Sequence, residues 1–301
     1  MSPIPESTDY PSLRLGHPTT SCTSVNIVGL DVKVYGLDEV KHSSLPLAAV
    51  IATHGRCNNQ KQMAHLAHGL LGHISVLAQD HPRTRDVIVV TVDQRNHGDR
   101  TVDRTANLAY DKNPNHLVDM AACVVGGCHD VSFIIDFLGS YLFPEGNKRI
   151  DEWIATGISL GGNLTYRLLQ IEPRINIAIP IIGLPWDVFR IYLQARAESM
   201  GLAFSPPLYP PALRPILEST RPDGCYKRKK ILSIHGSIDN LVPYDKGERQ
   251  IKQAQREAKE SGGEMEIYVQ EGAGHVVTPE MIEKTAEWVW RWAVKGQQGR
   301  M

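Results

Sequence analysis

Across residues 24–35 apolar and polar residues alternate, with Val25, Ile27, Val32 and Val34 recurring at every second position. A period of two predicts an antiparallel edge hairpin with one face in water. After it the pattern changes. Residues 47–53 (LAAVIAT), 86–92 (DVIVVTV), 153–156 (WIAT), 175–182 (INIAIPII) and 230–234 (KILSI) are short, nearly continuous apolar runs. Strands buried on both faces of a parallel sheet read this way. Helical spacing fills the intervals at 60–77, 116–142, 161–170 and 246–261, and a last strand at 264–269 precedes a closing helix at 279–294. Trp288 and Trp292, four residues apart on that helix, share a face and are read as core packing. The alternation of strand and helix predicts an α/β fold: a mostly parallel sheet of the eight-stranded type, covered by helices on both faces.

Two segments fall outside this rhythm. Residues 1–20, rich in Pro, Ser and Thr without periodicity, are expected to form a flexible arm. Residues 184–228 carry seven prolines between two predicted strands, too long for an ordinary connection. Their first part has helical spacing, which predicts an inserted helix-loop-helix lid over the C-terminal edge of the sheet. The core then comprises residues 21–183 and 229–301. Trp186 and Phe189 would be substrate-binding residues in the roof of the pocket.

Composition narrows the possible functions. Apolar residues make up 42% and charged residues 22% of the 301, ordinary usage for a folded globular chain. With 32 basic against 33 acidic residues, no global field favours nucleic acid or an anionic membrane, and neither is expected as a partner. The five cysteines form no C-x-x-C pair, which points to a reducing compartment, with the cytoplasm as the expected location. The N-terminus lacks a signal-peptide pattern, and the C-terminal Gln298 to Met301 carries no retention, peroxisomal or prenylation address.

The chemistry concentrates at strand ends. Gly157-Ile158-Ser159-Leu160-Gly161 is a G-x-S-x-G pentapeptide directly between a predicted strand and a helix, the context of a nucleophile elbow. Small neighbours are needed there because the serine sits on a sharp turn and the flanking chains approach closely. His235-Gly236-Ser237-Ile238-Asp239 puts an aspartate after the next-to-last strand, and Gly274-His275 follows the last one. A serine hydroxyl is a weak nucleophile at neutral pH, so it needs an imidazole to take its proton and an anion to orient that imidazole. Ser159, His275 and Asp239 supply these three roles in the chain order expected. The amides of Leu160 and of Arg56, which follows His54-Gly55 after the first apolar run, are the candidate oxyanion donors.

The segments THGRCN, DQRNHGDR, GISLGGN, HGSIDNLVP and GAGH resemble the landmark loops of the α/β-hydrolase superfamily over residues 47–294. The acid loop, with His235, Gly236, Asp239, Val242 and Pro243, is similar to that of dienelactone-hydrolase-like and prolyl-oligopeptidase-like serine esterases. The resemblance implies a hydrolase of the carboxylic-ester type. It departs from prolyl oligopeptidases in lacking their large N-terminal propeller, and from dienelactone hydrolases in having Ser159 where they use cysteine.

Other polar residues have plainer readings. His65, His68, His73 and His81 include no HExxH and are read as surface or core histidines, so no metal is expected. Residues 93–100 (DQRNHGDR) are expected to tie neighbouring loops together. Asp187 follows the strand ending near residue 182 and is the weaker candidate for the acid. Asn163 opens a formal glycosylation sequon but should be buried, and Cys57 is expected to be a buried small hydrophobe. The expected activity is cofactor-free cleavage of an ester, thioester or lactone of a small or medium acyl substrate. An amidase, an acyltransferase or a non-catalytic ligand-binding protein would use the same residues.

Overall fold

The computed structural model describes residues 11–219 and 221–295; the first half of the expected arm and the C-terminal Gln298 to Met301 lie outside the described residues. Eight strands form one sheet in the order β1-β2-β4-β3-β5-β6-β7-β8. They are β1 Cys22–Ile27, β2 Leu30–Tyr35, β3 Leu47–Thr53, β4 Asp86–Val92, β5 Ile150–Ile158, β6 Ile175–Ile181, β7 Lys230–Gly236 and β8 Glu264–Gln270. β1 and β2 form the antiparallel hairpin, β2 pairs antiparallel with β4, and every other pairing is parallel. The helices are α1 Leu37–Val40, α2 Met63–Leu77, α3 His116–Leu142, α4 Leu160–Ile171, α5 Trp186–Ser199, α6 Arg214–Leu217, α7 Tyr244–Glu260 and α8 Pro279–Val289.

Because side chains alternate across a strand, each central strand feeds both faces. On β3, Leu47, Ala49 and Ile51 join one buried cluster with residues of α3, α4, α5 and α7. Ala48, Val50 and Ala52 join the other, with α2 and α8. Trp288 is buried in the second cluster, and Trp292 packs at its edge with the rings 5.8 Å apart. At 27 residues α3 is long and apolar enough to cross a bilayer, yet its apolar face is spent on the first cluster, from Leu117 to Leu138.

Two expectations change. The arm is packed from Pro11 onward: Leu13 is buried against α2, and Thr20 donates its amide and hydroxyl to His68 Nδ1 at 3.2 and 3.0 Å. The segment expected to be a lid packs differently among the described residues. α5 lies within the helix layer, against α4 and α7, because its residues 186, 189, 193 and 197 form an apolar stripe that must be covered. Trp186 and Phe189 therefore do not make a roof. They are 1% and 0% exposed, stack with centroids 4.8 Å apart, and the guanidinium of Arg167 covers the Trp186 ring at 5.1 Å. The rest of the insertion folds back onto the same layer, with Arg221 bridging Asp187 and Glu257 at 3.5 and 3.3 Å.

Three histidines in this core are held neutral. Burial pushes His54, His116 and His235 down to about 3. His54 shows the reason at atomic level: its Nε2 accepts the Gln94 amide at 3.0 Å, so the ring proton sits on Nδ1, facing the Gly55 carbonyl at 2.8 Å. A second proton would oppose the Gln94 N–H. Each histidine regains its ordinary value near 6.5 on unfolding, so the unfolded chain binds more protons below that pH. Lowering the pH from about 7 to about 5.5 should therefore cost about 1 kcal/mol for each of the three. The urea midpoint measured across that range checks this; a flat midpoint would show that the rings are charged in the folded protein.

Candidate active site

Ser159 stands between β5 and α4 at φ 57° and ψ −108°, a left-handed conformation that a residue with a Cβ adopts at a cost of about 1–3 kcal/mol. Its amide donates to Ile181 O at 2.9 Å, and its carbonyl accepts from the Asn163 amide at 2.9 Å, so both sides of the turn are fastened. A Cβ on Gly157 would lie 2.4 Å from Gly161 O, and one on Gly161 only 2.3 Å from Thr53 O. Glycine at those positions is a packing requirement.

The side chains that the sequence nominates meet here. His275 Nε2 lies 2.8 Å from Ser159 Oγ, and His275 Nδ1 lies 2.8 Å from Asp239 Oδ2. With Nδ1–H donating to the carboxylate, Nε2 carries the lone pair that the serine hydroxyl faces. Asp239 Oδ1 accepts the amides of Leu241 and Val242, each at 2.9 Å. Burial by itself would raise this carboxyl, but the His275 hydrogen bond and charge and those two amides hold it below its ordinary value. The other acid candidate, Asp187, is elsewhere, engaged by Gln170 at 3.1 Å and by Arg221.

The loop after β3 crosses the elbow. A Cβ on Gly55 would stand 3.6 Å from Ser159 Cβ, so the loop passes the serine one residue before Arg56, while Leu160 is the first residue of α4, where the helix dipole is positive. The neighbouring loop is bound through Asp93, whose carboxylate accepts the amides of Gln60 at 2.7 Å and Asp99 at 2.9 Å. These contacts tie the loops together. β3 and β5 are the central pair at which the strand order reverses, and the crevice at the carboxyl ends of such strands is where open α/β sheets bind ligands.

No protein-family model and no curated protein matches the chain. Solved structures do. TT1662 from Thermus thermophilus superposes with a TM-score of 0.65 at 18% identity, covering 91% of this chain and 98% of that one. The esterase Est2 from Thermogutta terrifontis gives 0.54 at 17%, covering 94% and 95%. An acylaminoacyl peptidase from Pyrococcus horikoshii gives 0.57 at 14%, covering 98% of this chain but only 45% of the peptidase. The chain has the α/β-hydrolase fold.

Within that fold, the surroundings of Ser159 include side chains to which the sequence assigns no part there. Asn163, buried one turn into α4, accepts the Leu184 amide at 2.7 Å and donates to Tyr192 Oη at 2.8 Å; its side chain is engaged inside the protein, as expected of this sequon. Arg196, one turn after Tyr192, donates from Nη2 to Leu241 O, two residues past Asp239. Its Nη1 lies 3.4 Å from His116 Nε2, and His116 packs edge-on against Tyr110 with centroids 4.7 Å apart. A signal for Arg196 did exist: it is a lone charge falling on the period of Phe189 and Leu193 along an otherwise apolar stripe. Cys57 corrects an expectation. It is exposed, in a turn at φ 65°, because the loop must reverse immediately after Arg56.

Gly161→Ala should destabilise the protein by about 3 kcal/mol or prevent folding, because the atom it meets is backbone. Gly139→Ala, with open space around its added methyl, should be neutral or stabilising by up to about 1 kcal/mol. Urea denaturation of both variants checks the contrast, and equal effects would refute the packing account of the elbow.

Proposed function

We propose that the protein is a serine hydrolase acting on carboxylic esters, thioesters or lactones through an acyl-enzyme on Ser159. The observation that carries this reading is the continuous pair of hydrogen bonds Ser159–His275–Asp239, each 2.8 Å, at a strained strand-to-helix turn. Such an arrangement lets His275 take the hydroxyl proton as Ser159 Oγ bonds to the carbonyl carbon. Asp239, already ionised, stabilises the imidazolium that forms. The negative charge that develops on the carbonyl oxygen would be met by the amides of Leu160 and Arg56. His275 then returns its proton to the leaving alcohol or thiol, and a water molecule repeats the sequence to release the acid. In this reading the cycle calls on no group beyond the chain and water.

The shared fold of an esterase and an acylaminoacyl peptidase supports hydrolysis in general, and the partial exposure of the His275 side chain, 22%, supports access from solvent. Placement in a reducing compartment fits the free state of all five cysteines.

Ser159→Ala should lower kcat on 4-nitrophenyl acetate by about a million-fold and abolish labelling by a fluorophosphonate probe, with the thermal midpoint retained. Asp239→Asn should lower kcat by about ten-thousand-fold, because the amide permits the wrong imidazole tautomer. Retention of most turnover in Ser159→Ala would overturn the nucleophile assignment. A native protein that the probe leaves unlabelled would instead favour a ligand-binding role.

A further inference from the structure

Two arginines border the candidate site, and among the described residues neither forms an ion pair with a carboxylate. Arg56 follows the glycine that touches the elbow; its Nη1 donates to Asn107 O at 2.6 Å and approaches Cys57 Sγ at 3.8 Å. Arg196 donates to Leu241 O and His116 Nε2, and its guanidinium lies 5.5 Å from the centre of the Tyr192 ring. A guanidinium has five N–H donors, so each arginine keeps several uncommitted. The charges are close enough to act on each other: burial pushes Arg196 down, and Arg56 adds to that while Asp239 and the two tyrosines oppose it.

Asp239 cannot balance them. Both of its oxygens are already used, one by His275 and the other by the amides of Leu241 and Val242, and it must also face the imidazolium formed during attack. Removing a guanidinium from water without a counter-charge is costly. Among the described residues no other carboxylate stands among the charges acting on Arg196. Beside it stands instead the Tyr110 hydroxyl, buried with no hydrogen-bond partner among the described residues, and near enough for Arg196 to act on it. Two guanidinium groups and a spare hydroxyl form the donor set of a compact anion, and arginine is the side chain suited to paired contacts with a carboxylate.

We propose that the substrate is itself an acid, an ester bearing a free carboxylate that Arg196 and Arg56 hold beside Ser159 with help from Tyr110. The proposal rests on the hydrolase reading above and names its substrate class. It also accounts for an arginine beside the apolar stripe of α5, half-buried where an apolar residue would pack at lower cost.

The test compares matched pairs of esters. Monomethyl glutarate against methyl valerate places the carboxylate on the acyl side, and O-acetylglycolate against propyl acetate places it on the alcohol side. In the native protein kcat/KM for the acid should exceed that for its neutral partner at least tenfold in one pair. Arg196→Met should reduce that ratio about tenfold, Arg56→Met should reduce it in the same pair, and Arg196→Lys should restore part of it. A ratio at or below one in both pairs overturns the proposal. So does an Arg196→Met variant that slows acid and neutral esters alike, since this would mean that Arg196 acts only by positioning the Asp239 loop through Leu241. Fluorophosphonate labelling separates the two readings: a labelled serine with flat ratios removes only the anion subsite. If the probe leaves Ser159 unmodified and no ester turns over, the hydrolase reading falls. Thermal protection by glutarate then tests the subsite; it should be absent with glutaramide and lost in Arg196→Met, and no protection by glutarate overturns it.

Discussion

At Ser159 the chain has to pass from β5 into α4 at a positive φ, and a side chain with a Cβ resists that turn. The turn persists because its surroundings leave no room for another. Gly157, Gly161 and Gly162 each lie so close to neighbouring backbone that an added methyl would approach it within 2.6 Å. Thr53 bonds across the gap to the Thr156 carbonyl at 3.3 Å. The register of β3 on β5, which sets Thr53 opposite Gly157, is thus what aims the serine out of the crevice. The loops that carry Asp239 and His275 can then line up on the serine, one behind the other, because their parent strands end at the same edge as β5.

Holding those loops still is the work of neutral histidines and one saturated carboxylate. His54 locks the loop after β3 to the loop after β4 by using one nitrogen as donor and the other as acceptor. His235, inside β7, lies 2.6 Å from Ser233 Oγ, which in turn meets the Tyr166 hydroxyl at 2.5 Å. This buried chain ties β7 to α4 directly beneath the acid loop. Such networks are rigid only while their protonation states hold. The same burial that excludes water from the site therefore makes the fold sensitive to acid.

α5 joins the core to the surroundings of Ser159. One side of it, with Trp186, Phe189 and Leu193, completes the first core cluster. Tyr192 and Arg196, on consecutive turns, reach toward Asn163 and Leu241. The helix cannot be displaced without opening the core, so the side chains it carries toward the acid loop stand on a fixed element.

Much of this was legible along the chain. Continuous apolar runs announced strands buried on both faces, and β3 and β4 begin and end where the runs do, because a parallel strand has no wet face to blur its pattern. Ser159, Asp239 and His275 could be named because catalytic loops follow strand ends and their glycines are needed locally. What the chain could not disclose is where long-range packing sends an ambiguous segment. The proline-rich stretch after β6 has the composition of a lid, yet its apolar stripe found a vacancy in the helix layer between α4 and α7, and this carried Trp186 and Phe189 into the core. Arg196, eighty residues from His116, has no local signal of its neighbours. Burial, and with it the worth of an unpaired charge, is a property of the assembled layers, so only the tertiary structure decides it.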